Sequence, residues 1–147
     1  MKTLPVIVLK RSASIGYGCY VTYLSRLDME IASQSFEKSE TTFSDVPKAV
    51  IIVHPELLEC LTDDEIHAMY MHEQGHIESG HGLVQKEVSL SHAQEIQADD
   101  WAIAEAGIKP AVLKSMLLKV IAKICNSNEE HTAHILKVIE PRLRYLS

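Results

Sequence analysis

The chain has 147 residues and a formal net charge of −6; 46% of its residues are hydrophobic and 23% are charged. This composition is typical of a globular protein with a single core and excludes a disordered or fibrous chain. The 20 acidic residues outnumber the 14 basic ones, and no basic cluster offsets them, which argues against binding of nucleic acid through its phosphates. Lysines interrupt the most hydrophobic stretch, so no segment reaches the roughly 18 apolar residues of a membrane helix. The N-terminus lacks the pattern of a signal peptide, and we expect a soluble, cytoplasmic protein with no membrane partner.

Short β-branched runs predict strands in the first third of the chain. The clearest runs are Leu4–Leu9 and Ala49–Val53, and apolar and polar residues alternate in patches between Tyr17 and Ser35. The polar segment Glu37–Thr42 is predicted to be a loop or a hairpin connection. These patterns favour a small N-terminal sheet.

Two helices are predicted in the middle of the chain by their start and stop signals. Thr62–Glu65 forms a capping box, and the helix that it opens should run until Gly80 ends it. Ser91–Gln94 repeats this arrangement before a second helix over Ala93–Ala106, which Gly107 closes.

Two further helices are predicted near the C-terminus. Pro110 stands where the first turn of a helix tolerates proline, and Ser127–Glu130 caps the last helix, which Pro141 should end or kink. The expected fold class is therefore α+β: a small N-terminal β-sheet followed by a helical half, in one domain over residues 1–147.

The first of the middle helices carries the sequence His72-Glu73-Gln74-Gly75-His76, which is a His-Glu-x-x-His motif. Residues four apart lie on the same face of a helix, so both imidazoles can bind one metal ion. Glu73 projects beside that face and can act on a metal-activated water without being a ligand. The motif predicts a metal site with a general base next to it.

A catalytic zinc site needs a third protein ligand and one open position. Glu95 on the next predicted helix is the candidate, with His92 as a weaker alternative. Asp99, one turn after Glu95, is placed to accept the second ring N–H of a ligand histidine. The alternative is that Glu95 and Asp99 form a solvated acidic face of the helix.

The order of these motifs resembles a known family. Leu61–Ile66 leads into His72–Ile77, and Glu95–Ala102 and Ala106–Leu113 follow. Together they are similar to the core of the HtpX-type gluzincin zinc metallopeptidases, and most similar to their soluble, single-domain form, the minigluzincin. The resemblance covers about residues 49–124.

The resemblance implies a zincin-like fold and a zinc-dependent endopeptidase that acts on a polypeptide substrate. His72, His76 and Glu95 would bind Zn²⁺, and Glu73 would be the general base and acid. In this family a downstream His or Tyr tends to stabilise the oxyanion, which makes His131 and His134 the catalytic candidates here. An extended peptide would pair with a sheet edge, in residues 31–36 or 49–53.

Three alternatives stay open at this point. A highly selective regulatory protease of the ImmA/IrrE kind also carries a His-Glu-x-x-His motif, although its third ligand lies further downstream. A metal-stabilised binding module with little turnover would have no use for Glu73. Finally, residues 126–147 could form a plug that holds a peptidase latent. The sequence leaves the substrate and the oligomeric state open.

Overall fold

The computed structural model describes residues 6–9, 19–23, 36–38, 49–80, 92–125 and 129–147. In these residues, four strands form one sheet and five helices follow it, which confirms the predicted α+β architecture. The strands are β1 (Val6–Leu9), β2 (Cys19–Tyr23), β3 (Phe36–Lys38) and β4 (Ala49–Val53). The helices are α1 (Pro55–Cys60), α2 (Asp63–Glu78), α3 (His92–Ala104), α4 (Pro110–Cys125) and α5 (Glu129–Leu146).

β4 lies inside the sheet, whose strand order is β2-β4-β1-β3. It pairs in parallel with β1, where Ile51 is opposite Val6, and antiparallel with β2, where Ile51 is opposite Val21. Ile51, Ile52 and Val53 are all buried, as expected for a continuous apolar run with cover on both faces. The expectation that residues 49–53 offer a free edge to a peptide is therefore wrong. Of the alternative edge, residues 31–36, only Phe36 is among the described residues; it begins the outer strand β3, which pairs with β1.

Two local expectations differ from the structure. Glu37 and Lys38 were predicted to be in a loop, but they pair with β1, where Glu37 is opposite Val8. The short helix α1 was not predicted at all. It begins with Pro55 in its first turn, and the Nδ1 of His54 accepts a hydrogen bond from the backbone N–H of Glu56 at 3.2 Å.

The predicted capping box opens α2. The hydroxyl of Thr62 accepts a hydrogen bond from the N–H of Glu65 at 3.2 Å, and the Glu65 carboxylate accepts one from the N–H of Thr62 at 2.8 Å. α2 ends at Glu78, and Gly80 follows with a φ of 72°, in the left-handed region that favours glycine. Both predicted ends of this helix are confirmed.

The Glu65 carboxylate also joins α2 to α4. Ser115 and Lys119 on α4 donate hydrogen bonds to its oxygens at 2.5 and 2.6 Å. Burial alone would raise the pKa of Glu65, but these bonds and those of Thr62 lower it to about 2. A buried carboxylate with this many donors fixes the position of the N-terminal end of α2.

The last helix belongs to the core. α5 runs through Pro141 to Leu146, so the expectation that Pro141 ends the helix is wrong. Ile139 and Leu146 are buried in the same apolar cluster as Leu113 of α4 and Ala102 of α3. This packing offsets the backbone hydrogen bond that a proline inside a helix removes. No helix in the described part of the chain is long and apolar enough to cross a membrane.

Candidate metal centre

α2 presents both histidines of the motif on its buried face. His72 and His76 are 3% and 5% exposed, and their Nε2 atoms lie 3.1 Å apart. The two rings meet edge to face, with centroids 4.7 Å apart and an interplanar angle of 87°. This is the geometry that a spacing of four residues gives on a helix, and it directs two ring nitrogens to one point.

α3 approaches α2 closely at the level of the motif. A Cβ at Gly75 would lie 2.7 Å from the backbone oxygen of Ala98 and 3.1 Å from its Cα, so only glycine fits at this crossing. Ala98 and Ala102 are fully buried on the facing side of α3. These small residues allow the two helix backbones to meet, which brings Glu95 within reach of the histidines.

The third candidate ligand lies beside the first two. Oε2 of Glu95 is 2.9 Å from Nε2 of His72 and 3.5 Å from Nε2 of His76. A tetrahedral zinc ion with bonds of about 2.0 to 2.1 Å separates its ligand atoms by roughly 3.3 Å, close to these distances. The ligand atoms of all three residues lie within 4.8 Å of one another, so this group could hold a metal ion.

Asp99 lies behind the first histidine. It follows Glu95 by one turn of α3 and is fully buried, and its Oδ1 is 2.7 Å from Nδ1 of His72. His72 therefore has one ring nitrogen toward Glu95 and His76 and the other toward Asp99. A carboxylate in this place orients the imidazole of a metal ligand.

Arg142 on α5 is the residue that the sequence reasoning missed. It is 7% exposed, and its Nε and Nη2 donate hydrogen bonds to Oδ2 and Oδ1 of Asp99 at 2.8 and 2.7 Å. Its Nη1 lies 3.8 Å from Oε2 of Glu95. A signal was available: Arg142 shares a helix face with Ile139 and Leu146, the apolar residues three before and four after it. A lone arginine within an apolar face indicates a buried carboxylate partner.

The surroundings of Glu73 and Glu95 shift the pKa values of these two side chains in opposite directions. The pKa of Glu73 is raised to about 7; burial is the largest cause, the charges of His72 and Arg142 oppose it, and those of Glu95 and Asp99 add to it. For Glu95, burial alone would also raise the pKa, but hydrogen bonds to both histidines hold it well below its usual range. Glu95 is thus an anion suited to bind a cation, whereas Glu73 can exchange a proton near neutral pH.

The roles predicted for His92, His131 and His134 stay predictions. His131 and His134 lie in the first two turns of α5, but their side chains are outside the described part of the structure. The side chain of His92, the first residue of α3, is outside it as well. The structure thus brings together His72, His76, Glu95 and Asp99, with Glu73 beside them, and leaves the candidate oxyanion stabilisers unplaced.

Comparison with known proteins gives one match. The sequence model of peptidase family M48 matches residues 43–90, a segment that includes β4, α1 and the whole of α2 with its motif. Neither the curated proteins nor the solved structures give a match. The matched segment stops before Glu95, so the family relationship and the position of Glu95 are separate observations. Together with the donor geometry, the match supports a metallopeptidase.

Proposed function

We propose that the chain is a soluble zinc-dependent endopeptidase, a single zincin-like domain of the minimal gluzincin kind. The observation that carries the proposal is the convergence of three donor atoms, from His72, His76 and Glu95, next to the buried carboxyl group of Glu73. Two histidines and a glutamate are a ligand set of catalytic zinc sites, which leave the fourth position to water or substrate.

The ligand roles follow from the chemistry of the donors. His72 and His76 would bind Zn²⁺ through Nε2 and Glu95 through Oε2, the atoms that face one another. When bound, zinc supplies Lewis acidity, which polarises a peptide carbonyl and makes a water molecule more acidic. Asp99 keeps His72 in the orientation that this role requires.

Glu73 would carry the proton through the reaction. Its carboxylate takes a proton from the attacking water as the water oxygen bonds to the peptide carbonyl carbon. The bond between that carbon and the amide nitrogen then breaks, and Glu73 returns the proton to the leaving amine. A pKa near 7 suits a group that must first accept and then donate a proton at neutral pH. His131 or His134 would stabilise the oxyanion.

The substrate would bind as an additional strand along β2. β2 and β3 are the outer strands of the described sheet, and β2 pairs with β4 only. Cys19 at the start of β2 packs against Ile51 of β4, as do Tyr70 and Ile77 of α2, and β2 and α2 are in contact. An extended peptide that pairs with β2 would pass along the metal centre. N-methylation of alternate amides in a cleaved peptide is expected to lower kcat/KM, because it removes strand hydrogen bonds.

The test combines metal content with proteolysis. We expect one zinc per chain in the wild type, loss of zinc in Glu95→Ala, and cleavage of unfolded casein that Glu73→Gln abolishes without loss of zinc. Glu78→Gln is the matched control, since Glu78 is exposed on the same helix. Zinc without cleavage of casein or other unfolded proteins would instead favour a highly selective protease or a metal-stabilised binding module. Absence of zinc would overturn the proposal.

A further inference from the structure

Arg142 connects the last helix to a metal centre whose other members come from α2 and α3. It lies 70 residues after His72, and it approaches both Asp99 and that histidine. The guanidinium group binds the Asp99 carboxylate through two parallel hydrogen bonds of 2.8 and 2.7 Å. This fork fixes both the position and the rotation of the carboxylate, which a single hydrogen bond would not.

The contacts of Nδ1 of His72 suit a ring that binds a metal through Nε2. Nδ1 is 2.7 Å from Oδ1 of Asp99 and 3.0 Å from Nη2 of Arg142. The arginine nitrogen is always a donor, and it already donates to the same Oδ1 at 2.7 Å. An unprotonated Nδ1 would direct its lone pair at the carboxylate, whereas a protonated one donates to Oδ1. In the proposed zinc-bound state Nε2 would give its lone pair to the metal, and Nδ1 of His72 and Nη2 of Arg142 would both donate to Oδ1 of Asp99.

Arg142 also stands between the two carboxylates of α3. Glu95 and Asp99 are four residues apart on one helix face, where like charges repel. Nη1 of Arg142 is 3.8 Å from Oε2 of Glu95, while Nε and Nη2 bind Asp99. The planar guanidinium group binds Asp99 through two nitrogens while its third nitrogen faces Glu95, a bidentate geometry that the ammonium group of a lysine cannot reproduce.

We propose that Arg142 is a positioning residue of the metal centre: its fork fixes the Asp99 carboxylate, and Asp99 in turn fixes the ring of His72 with Nε2 toward the metal. The inference rests on the proposed zinc site but not on proteolysis. It assigns to the C-terminal helix a role in metal binding that the sequence motifs do not contain.

The test is zinc affinity, measured by competition with a chelator, in Arg142→Met, Arg142→Lys and the control Arg144→Met. Methionine retains much of the apolar stem without the fork, lysine retains the charge, and Arg144 is exposed on the same helix. We expect Arg142→Met to bind zinc about tenfold more weakly than the wild type, as for the loss of groups that orient metal ligands. Arg142→Lys should recover thermal stability but stay several-fold weaker in zinc binding. Arg144→Met should match the wild type.

A second readout separates positioning from general stability. The visible absorption spectrum of the cobalt-substituted protein reports the ligand geometry, so it should change in Arg142→Met and Arg142→Lys and stay constant in Arg144→Met. Wild-type zinc affinity in Arg142→Met, or full recovery of affinity and spectrum in Arg142→Lys, would overturn the inference. If Arg142→Met does not fold, the lysine variant decides. If the wild type binds zinc and cleaves nothing, only the proteolytic part of the proposed function fails; if it binds no zinc, both proposals fail.

Discussion

Nδ1 of His72 lies 2.7 Å from Oδ1 of Asp99, across the crossing of α2 and α3. The contact joins a candidate metal ligand to a fully buried carboxylate, which is itself held by Arg142 from α5. Three helices thus meet at one aspartate, and the geometry of the metal centre depends on how these helices pack. The predictions below test this dependence.

Asp99→Asn should weaken zinc binding 10- to 100-fold, the usual effect of removing a carboxylate that orients a metal-binding histidine. The amide has nearly the same shape, but it cannot accept hydrogen bonds through both of its polar atoms, and it removes the charged acceptor of two hydrogen bonds from Arg142. Zinc affinity measured by chelator competition gives the answer. Asp100→Asn is the control because Asp100 is exposed. Equal affinity in Asp99→Asn and the wild type would contradict this account of His72.

Gly75→Ala should destabilise the protein by about 1 to 3 kcal/mol, the usual cost of overpacking a core. The new Cβ would lie 2.7 Å from the backbone oxygen of Ala98 and would push α2 and α3 apart. Helix propensity alone predicts the opposite sign, since alanine is favoured over glycine in a helix by about 1 kcal/mol. Chemical denaturation measures the change.

Glu78→Ala is the control for this substitution, because Glu78 is exposed near the end of the same helix. It should change stability by less than about 0.5 kcal/mol. Gly75→Ala should also weaken zinc binding, since Glu95 moves with α3. A stabilised Gly75→Ala variant would show that the close crossing of the helices does not constrain the site.

Glu65→Gln should lower stability near neutral pH by about 1 to 2 kcal/mol, because the buried carboxylate loses hydrogen bonds that its charge strengthens. Hydrogen bonds outweigh burial and lower the pKa of Glu65 from 4.5 to about 2. A lowered pKa in the folded state means that the ionised group stabilises the protein above pH 4.5 and loses this effect as the pH falls toward 2. The difference in the free energy of unfolding between the wild type and Glu65→Gln should therefore decrease as the pH falls from 4.5 toward 2.

Denaturant titrations at several pH values between 2 and 7 measure this difference. Asp64→Asn is the control, since Asp64 lies in the same first turn and is exposed. Its difference from the wild type should vary less with pH than that of Glu65→Gln. If the difference in the free energy of unfolding between the wild type and Glu65→Gln does not change with pH, the charge of Glu65 does not contribute to stability.

Deletion of residues 129–147 should unfold the protein instead of activating it. α5 contributes Ile139 and Leu146 to the core and Arg142 to Asp99, so its removal exposes apolar surface and takes the guanidinium partner from a buried carboxylate. A plug that holds a peptidase latent would give a folded, more active fragment. Circular dichroism and casein cleavage distinguish the two results.

A milder variant tests the same role of α5. Leu146→Ala should lower the free energy of unfolding by about 2 to 5 kcal/mol, as truncation of other buried leucines does. Arg144→Ala should change it little, because Arg144 is exposed. Wild-type stability of Leu146→Ala would show that the end of the helix is not part of the core.

The local features of the site can be predicted from the sequence because they depend on neighbouring residues in one helix. The capping box at Thr62 and the stop at Gly80 need only residues within the same turns, and both are confirmed. The spacing of His72 and His76 likewise places their ring nitrogens together without reference to the rest of the fold.

Features that depend on distant partners were the ones missed. Glu37 and Lys38 are polar and suit a loop, yet β1 supplies the hydrogen-bond partners that make them a strand. Pro141 suggests a helix end, yet the burial of Leu146 beyond it keeps the helix intact. The apolar face around Arg142 indicates a buried partner for it, but no local pattern identifies that partner as Asp99, 43 residues earlier.

Arg142 follows the other residues of the candidate metal centre by at least 43 positions in the sequence, so the ribosome adds it after them. A growing polypeptide emerges from its N-terminus, so both histidines, Glu95 and Asp99 leave the ribosome before Arg142 does. Until then, Asp99 has no guanidinium partner and α5 cannot cover the core. On our account of Arg142, tight metal binding begins only once this residue has left the ribosome, so a nascent chain that stops short of Arg142 would hold zinc weakly.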